Sequence, residues 1–381
     1  MTELAADATG SLIQAIDEKI NAVRTNSLDF SFNELADMHS SGELIIRPEF
    51  QRMFRWTEGA QSRFIESLLL ELPVPPIFLL EREDRIYELI DGLQRVSSFL
   101  NFRGQLRAGD AYRDPLTLVD CDIVRELNGH TYKSLPKSLE IKLKRSYIRA
   151  EILRKESDQH LRYYMFKRLN TGGERLSEQE VRNATIRLLS NDFNNLIIEL
   201  SGDVNFRHCT NIISSQQRNR KFDQELVLRF FAMKNNFGDY VHDIADFLTE
   251  YMESVSDPES GTAFNYESER AIFKKTFLIL KLISDKLDFG YKIFGSMGGG
   301  AEPRGQFSVY HYEGLTLGLQ AVLDEVDPMD DDHIRRLAEV VSAGKPDEEF
   351  LKHSGGGKNY RNPMKARVDY FADRFRSAMA S

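Results

Sequence analysis

The run Tyr87-Glu-Leu-Ile-Asp91-Gly92-Leu93-Gln94-Arg95 decides how the front of this chain is read. It reads as an apolar strand that stops at Asp91-Gly92 and passes straight into a helix reaching Phe102. At such a junction the N–H groups of the first helical turn lack intrahelical acceptors and point outward, which favours an anion. Gly92 lets the backbone approach that anion closely, and Arg95, one turn in, adds a fork of donors suited to phosphate oxygens. Asp91 supplies a hard oxygen for a divalent metal or for orienting a water. The same spacing also fits a plain strand-to-helix turn, in which Asp91 caps the helix and Arg95 pairs with Asp91.

Outward from this run, short apolar segments alternate with helical patterns from Glu43 to Leu153. Strands are expected at Glu43–Ile46, Ile77–Leu80, Tyr87–Ile90, Leu116–Asp122 and Tyr147–Ile152. A helix opening at Thr57 carries Phe64, Leu68 and Leu69 at helical spacing and is ended by Pro73, Pro75 and Pro76. Ser31-Phe-Asn-Glu34 has the pattern of a capping box for a shorter helix, and Ser11–Val23 reads as a further amphipathic helix. Beyond Asp158 strand signals nearly stop. Helices are expected at Asp158–Leu169, Ser177–Leu189, Asp192–Leu200, Asp223–Asn235, Asp239–Met252, Ser268–Leu287, Tyr310–Glu325, Asp331–Ala343 and Asn362–Met379. Loops are expected at Ser201–Gln217, Ser254–Thr262, Gly295–Gln306 and His353–Gly357. The fold class is therefore α+β, with a mixed α/β domain over residues 28–155 and an all-α helical domain over 156–381.

Composition narrows the function. The 381 residues, 41% hydrophobic, can bury the cores of two domains. The longest apolar candidate, Phe64 to Leu80, is broken by Glu66, Glu71 and three prolines, so no membrane segment is expected. The first 17 residues lack a basic region followed by an apolar one, and the expectation is a cytoplasmic protein. Two cysteines, Cys121 and Cys209, are too few and too far apart for a disulfide scaffold or a cysteine-built zinc site. The eight histidines form no i, i+4 pair, and GxxxxGK[ST], HExxH and GxSxG are all absent. A formal charge of −9 argues against a general nucleic-acid coat, yet Lys137 to Arg187 carries 13 Lys/Arg against 7 Asp/Glu. The middle of the chain is its electropositive part, although solvated helix faces account for such charges equally well.

Two further clusters carry chemistry. In Arg47-Pro-Glu-Phe50-Gln51-Arg52-Met-Phe54-Arg55-Trp56, arginines lie among aromatics, a combination suited to phosphate oxygens and base stacking. Packing beneath the following helix accounts for the aromatics as well. In Phe166-Lys-Arg168-Leu-Asn170-Thr-Gly-Gly-Glu-Arg175-Leu-Ser177, the glycines suit a helix C-cap, while Arg168 and Asn170 stand beside the start of a capped helix, where a phosphate can bind.

In this order the three clusters resemble the GmrSD-type N-terminal domain family, related to the ParB and sulfiredoxin superfamily. The shared runs are Pro48, Phe50, Gln51, Arg52 and Trp56; Ser67-Leu-Leu69 with Pro73-Val-Pro75-Pro-Ile77; Asp91-Gly-Leu-Gln-Arg95; and Asn170 to Asn183 with its Glu-x-Arg-Asn end. Leu93 stands where the family usually has Gln. The resemblance implies a ParB-like mixed α/β domain that binds, and in several relatives hydrolyses, a nucleoside triphosphate within systems that restrict modified phage DNA. In many relatives a C-terminal His-Asn-His nuclease domain does the cutting; no such constellation follows residue 190, so the resemblance implies the nucleotide-sensing half without a recognisable nuclease.

Three functional readings follow. In the first, Asp91, Gln94 and Arg95 are catalytic in an NTPase, with Gln51, Arg52, Gly92, Arg95, Arg168 and Asn170 binding the nucleotide and Asp91 holding Mg2+. In the second, Arg55, Arg175 and Arg182 grip a DNA backbone and Asp91 holds the metal of a nuclease or nickase. In the third, the chain is a non-catalytic component whose helical domain docks a partner nuclease or toxin. A homodimer is compatible with each.

Overall fold

The computed structural model describes residues 24–46, 54, 56–82, 84–108, 111–157, 177–241, 243–287, 292–297 and 303–380, together with Ile16 and Met165. The chain divides into two compact units, Met1–Thr171 and Gly172–Ser381. The helices expected at Ser11–Val23 and Asp158–Leu169 lie outside the described residues, save Ile16 and Met165.

The first unit is built on a five-stranded mixed sheet. Its strands are β1 (Thr25–Ser31), β2 (Leu44–Ile45), β3 (Ile77–Glu81), β4 (Tyr87–Asp91) and a long last strand, β7 (Tyr147–Leu153). Their order is β1-β7-β3-β4-β2. Antiparallel pairs β1·β7 and β3·β4 alternate with parallel pairs β7·β3 and β4·β2. Helices α1 (Phe32–Ser41), α2 (Glu58–Leu69), α3 (Leu93–Phe102) and α4 (Lys137–Arg145) pack their apolar sides into one core with the sheet, around Phe32, Ile65, Leu79 and Phe99. Thr57 caps α2 as expected, accepting the Ala60 N–H at 3.2 Å. At α1, Ser31 accepts the Glu34 N–H, which is the forward half of the expected box.

One strand here was not expected and one expected strand does not form, each for a visible reason. Strand β1 is exposed over its first five residues, so no apolar alternation betrays it; it is an edge strand held by its pairing with β7 across the register Thr25↔Leu153 to Ser31↔Tyr147. Leu116–Asp122 is apolar and extended but is not a strand. Side chains and turns, not a neighbouring strand, take its N–H groups. Val119 N–H goes to Ser62 Oγ at 2.9 Å, Cys121 N–H to Asn128 Oδ1 at 2.9 Å and Leu118 N–H to the carbonyl of His130 at 2.9 Å. Just beyond, Ile123 and Val124 donate to the Oε1 of buried Glu66 at 3.1 and 2.6 Å. Asp120, at φ 53°, breaks the extended run. A small hairpin, β5 (Arg107–Ala108) with β6 (Ala111–Tyr112), completes the unit.

The second unit is helical: α5 (Glu178–Thr185), α6 (Asp192–Ser201), α7 (Val204–Cys209), α8 (Ser215–Asn219), α9 (Phe222–Asn236), α10 (Ile244–Ser256), α11 (Tyr266–Lys286), α12 (Val309–Gly318), α13 (Asp331–Gly344), α14 (Glu348–Lys352) and α15 (Arg361–Ala380). Phe230, Phe231, Phe273 and Phe277 meet at its centre with ring centroids 4.4 to 6.2 Å apart. The capping box at Ser177 and Glu180 forms in both directions. Three expectations are corrected. Ser201–Gln217 holds α7 and the start of α8, capped by Asp203 and by a Ser214/Gln217 box. Gly295–Gln306 holds most of a hairpin, β8 (Gly295–Met297) with β9 (Pro303–Phe307), so the helical unit contains one two-stranded sheet. The helix expected at Asp239 starts at Ile244, where Asp243 accepts the Ala245 and Asp246 N–H groups.

Candidate functional site

Gly92 fixes the geometry of the strand-to-helix bend. It is the N-cap of α3, sits at φ +100°, and a Cβ there would stand 2.3 Å from Ile77 Cγ2. Only glycine tolerates that conformation and that closeness without strain. Because the cap residue has no side chain, none caps the first turn of α3.

Arg95 closes over the bend. Its Nη2 donates to Asp91 Oδ2 at 2.8 Å and to the carbonyl of Pro76 at 3.0 Å, while its Nε is buried and unpartnered. Asp91 does not cap the helix. It ends β4 opposite Phe78, beside an irregularity in the β3·β4 register between Phe78 and Leu79; such bulges re-aim side chains at strand ends.

Gln94 ties the bend to the arginine-aromatic cluster, because its Oε1 accepts the Trp56 N–H at 3.1 Å. The carbonyl of Trp56 accepts from Gln61 Nε2 at 2.8 Å, and Gln61 Oε1 accepts from Asn101 Nδ2 at 2.9 Å. Trp56 itself packs edge-on against Phe64, and Phe54 is buried, so these two aromatics serve the core. Leu93 also packs against the core, which explains an apolar residue at that position. Two separate sequence runs thus meet at the bend: Trp56 through Gln94, and Pro76-Ile77 through Arg95 and Gly92. Gln51, Arg52, Arg55, Arg168, Asn170 and Arg175 lie outside the described residues.

Arg182, expected on a DNA backbone, is instead 3% exposed inside the helical unit. Its guanidinium donates to Thr249 Oγ1 at 3.1 Å, Gln179 Oε1 at 3.0 Å and the carbonyl of Ala245 at 3.4 Å, with Glu225 at 3.7 Å. A guanidinium enclosed this way has no face left for a phosphate. The neighbouring Asn183 bridges Gln179 and Gln224 at 2.8 and 2.6 Å, so this Glu-x-Arg-Asn run stitches α5 to α9 and α10.

Among the described residues no group of three or more His, Cys, Asp or Glu is placed to hold a metal. Asp91 is a single carboxylate at the end of β4, paired with Arg95. Burial pushes the Cys121 thiol up to about 11 and the Cys209 thiol higher still, which removes both as nucleophiles near neutral pH. No helix among the described residues is long and apolar enough to cross a membrane.

The family model of the GmrSD restriction endonuclease N-terminal domain matches residues 32–187. This segment belongs to that domain family. The GmrSD N-terminal domain here begins at the first residue of α1, leaving β1 outside it, and ends beyond α5, so it includes the Asp91–Gly92 bend and Arg182 with Gln179 and Asn183, but not their partners on α9 and α10. The match associates the chain with restriction systems. No curated protein and no solved structure matches the chain.

Sequence reasoning missed a second charged constellation. Glu313, buried in α12, is held by Arg229 at 2.7 Å and Arg367 at 2.8 Å. The visible signal was Arg229 inside the apolar run Leu226 to Met233.

Proposed function

We propose that the Asp91–Gly92 bend seats the phosphates of a nucleoside triphosphate, and that the chain is the nucleotide-binding and hydrolysing component of a DNA restriction or anti-phage system. The observation that carries this is Gly92: a left-handed glycine with no space for a side chain, at the mouth of a helix whose third residue is a fixed arginine. Such a helix start is an anion site by its own backbone.

The Arg95–Asp91 pair does not bar the seat. With Arg95 16% and Asp91 35% exposed, the pair is partly buried and costs more to part than an exposed pair, worth roughly 0.2–1 kcal/mol, yet micromolar binding is worth about 8 kcal/mol. Phosphate oxygens take Arg95, and Asp91 would hold magnesium. That ion, when bound, neutralises charge on the phosphate oxygens. Gln94 orients the attacking water; water adds to the γ-phosphorus as the β–γ bridging oxygen leaves with the nucleoside diphosphate, giving nucleoside diphosphate, phosphate and a proton released to solvent. Gln51, Arg52, Arg168 and Asn170 complete the pocket, Arg55 and Arg175 contact DNA, and a partner nuclease makes the cut.

Calorimetry with the four ribonucleoside triphosphates and magnesium tests the seat. Arg95→Ala is expected to abolish binding seen in the wild type; unchanged affinity removes the proposal. The same ion pair favours a second reading, in which the pocket is closed and the chain only docks a nuclease. Triphosphate turnover by the pure protein decides against that reading.

A further inference from the structure

The sheet of the first unit has two edges of different kinds. β2 is two residues long, a common protection of an edge, whereas β1 runs seven residues with no shift in its register against β7. Other devices that keep edges apart are missing from Thr25–Ser31 too: it has no Lys, Arg, Pro or Gly and no bulge.

The pairing with β7 fixes which way the backbone of β1 faces. Phe32 N–H donates to the Ser146 carbonyl at 2.9 Å and Arg154 N–H to the Arg24 carbonyl at 2.8 Å, each pair continuing the β1·β7 register, so the even-numbered residues of β1 exchange bonds with β7. Thr25, Ser27 and Asp29 therefore turn their N–H and C=O groups outward, joined by Ser31 N–H. None of these groups has a partner among the described residues. Leu28, at the middle of the strand, is 39% exposed although it shares a face with buried Phe30.

We propose that β1 pairs antiparallel with β1 of a second copy of this chain, about a twofold axis at Leu28, joining the two five-stranded sheets into one. Because Thr25–Ser31 is centred on Leu28, this register matches every residue of the strand. Ser27 and Asp29 of the second copy exchange bonds on each side of the axis, and Ser31 N–H reaches the Thr25 carbonyl of the second copy. The two Leu28 side chains cover each other in a non-hydrogen-bonded pair, where side chains stand closest. A foreign strand could use the same backbone groups, but a second copy is certain to set a leucine opposite Leu28. Charge does not oppose the joint either. Arg149 holds Asp29 at 3.0 Å, and Asp29 meets Ser27 of the second copy, so no carboxylate of β1 faces its own counterpart. The joint lies ahead of the matched domain and does not depend on the triphosphate seat.

Sedimentation of the full chain between about 1 and 100 µM, the range suited to a small interface, should show monomer passing to dimer. Leu28→Lys sets two cations against each other, and Ser27→Pro removes an outward N–H that β7 does not use. Each should melt like the wild type and associate about tenfold more weakly or worse. Oxidised Leu28→Cys should form an intermolecular disulfide, because residues opposite in such a pair have Cα atoms about 4.5 Å apart, within disulfide reach. Asn26→Cys, which would face Phe30 of the second copy, should not; the native Cys121 and Cys209 are buried. A chain that stays monomeric throughout, a dimer undiminished in a normally melting Leu28→Lys, or crosslinking at residue 26 as readily as at residue 28 overturns the proposal.

Discussion

The guanidinium of Arg95 and the carboxylate of Asp91 stand 2.8 Å apart across the bend that joins β4 to α3. Asp91 is the last residue of the strand and Arg95 the third of the helix, so one ion pair sets the angle between them. The same guanidinium reaches the Pro76 carbonyl, just before β3. Arg95 is therefore both a structural clasp and the cation nearest the helix mouth. Any test of its role has to separate the two.

Two glycines with positive φ should respond differently to alanine. At Gly42, φ +84° with nothing within 4 Å of an added Cβ, the cost is backbone strain alone, about 1–2 kcal/mol. At Gly92 the contact with Ile77 adds overpacking worth about 1–3 kcal/mol more. Urea unfolding of Gly42→Ala and Gly92→Ala measures the difference.

Glu313, 2% exposed, is shared by two buried arginines. Glu313→Ala strands their charges and should destabilise the helical unit by about 3–5 kcal/mol. Glu349→Ala, which removes an exposed partner of Arg374, should stay within about 0.5 kcal/mol. Denaturant melts of the two variants give the comparison.

Burial holds the His311 imidazole down to about 3 from an ordinary 6.5. Above 6.5 the ring is neutral whether the chain is folded or not. Below it the unfolded chain takes a proton that the folded chain refuses until about 3, so stability falls with pH across that window. His311→Asn lacks this loss. Its stability relative to wild type, measured at neutral pH and midway through the window, should improve in acid.

Arg182→Gln breaks a buried network and should cost roughly 1–3 kcal/mol in urea unfolding. In the folded variant, any DNA affinity and its salt dependence should match wild type, because Arg182 meets no solvent-facing ligand. A shallower salt slope would put Arg182 back on the DNA.

The bend was legible because its features are local: an apolar run, a glycine and an arginine one turn later. Thr57, Ser177 and Glu180 were legible for the same reason, since capping is written in side chains a few residues apart. Asp203 and the Ser214/Gln217 pair carried that signal for α7 and α8 as well, inside a stretch whose polarity reads as loop. Strand β1 was hidden because its pairing comes from β7, more than 100 residues away, and its outer residues are polar. Leu116–Asp122 misled because an apolar extended segment says nothing about where its N–H groups go. Arg182 looked like a DNA contact for a related reason: sequence shows a charge, but only packing shows that Thr249, Gln179 and Ala245 already surround it.

A crystal structure of the full chain with magnesium and a non-hydrolysable triphosphate tests the central claim most directly. The account predicts phosphate density at the N-terminus of α3 beside Gly92, with Arg95 turned from Asp91 onto the phosphate oxygens. A triphosphate bound elsewhere, with the Arg95–Asp91 pair intact over an empty bend, would contradict it.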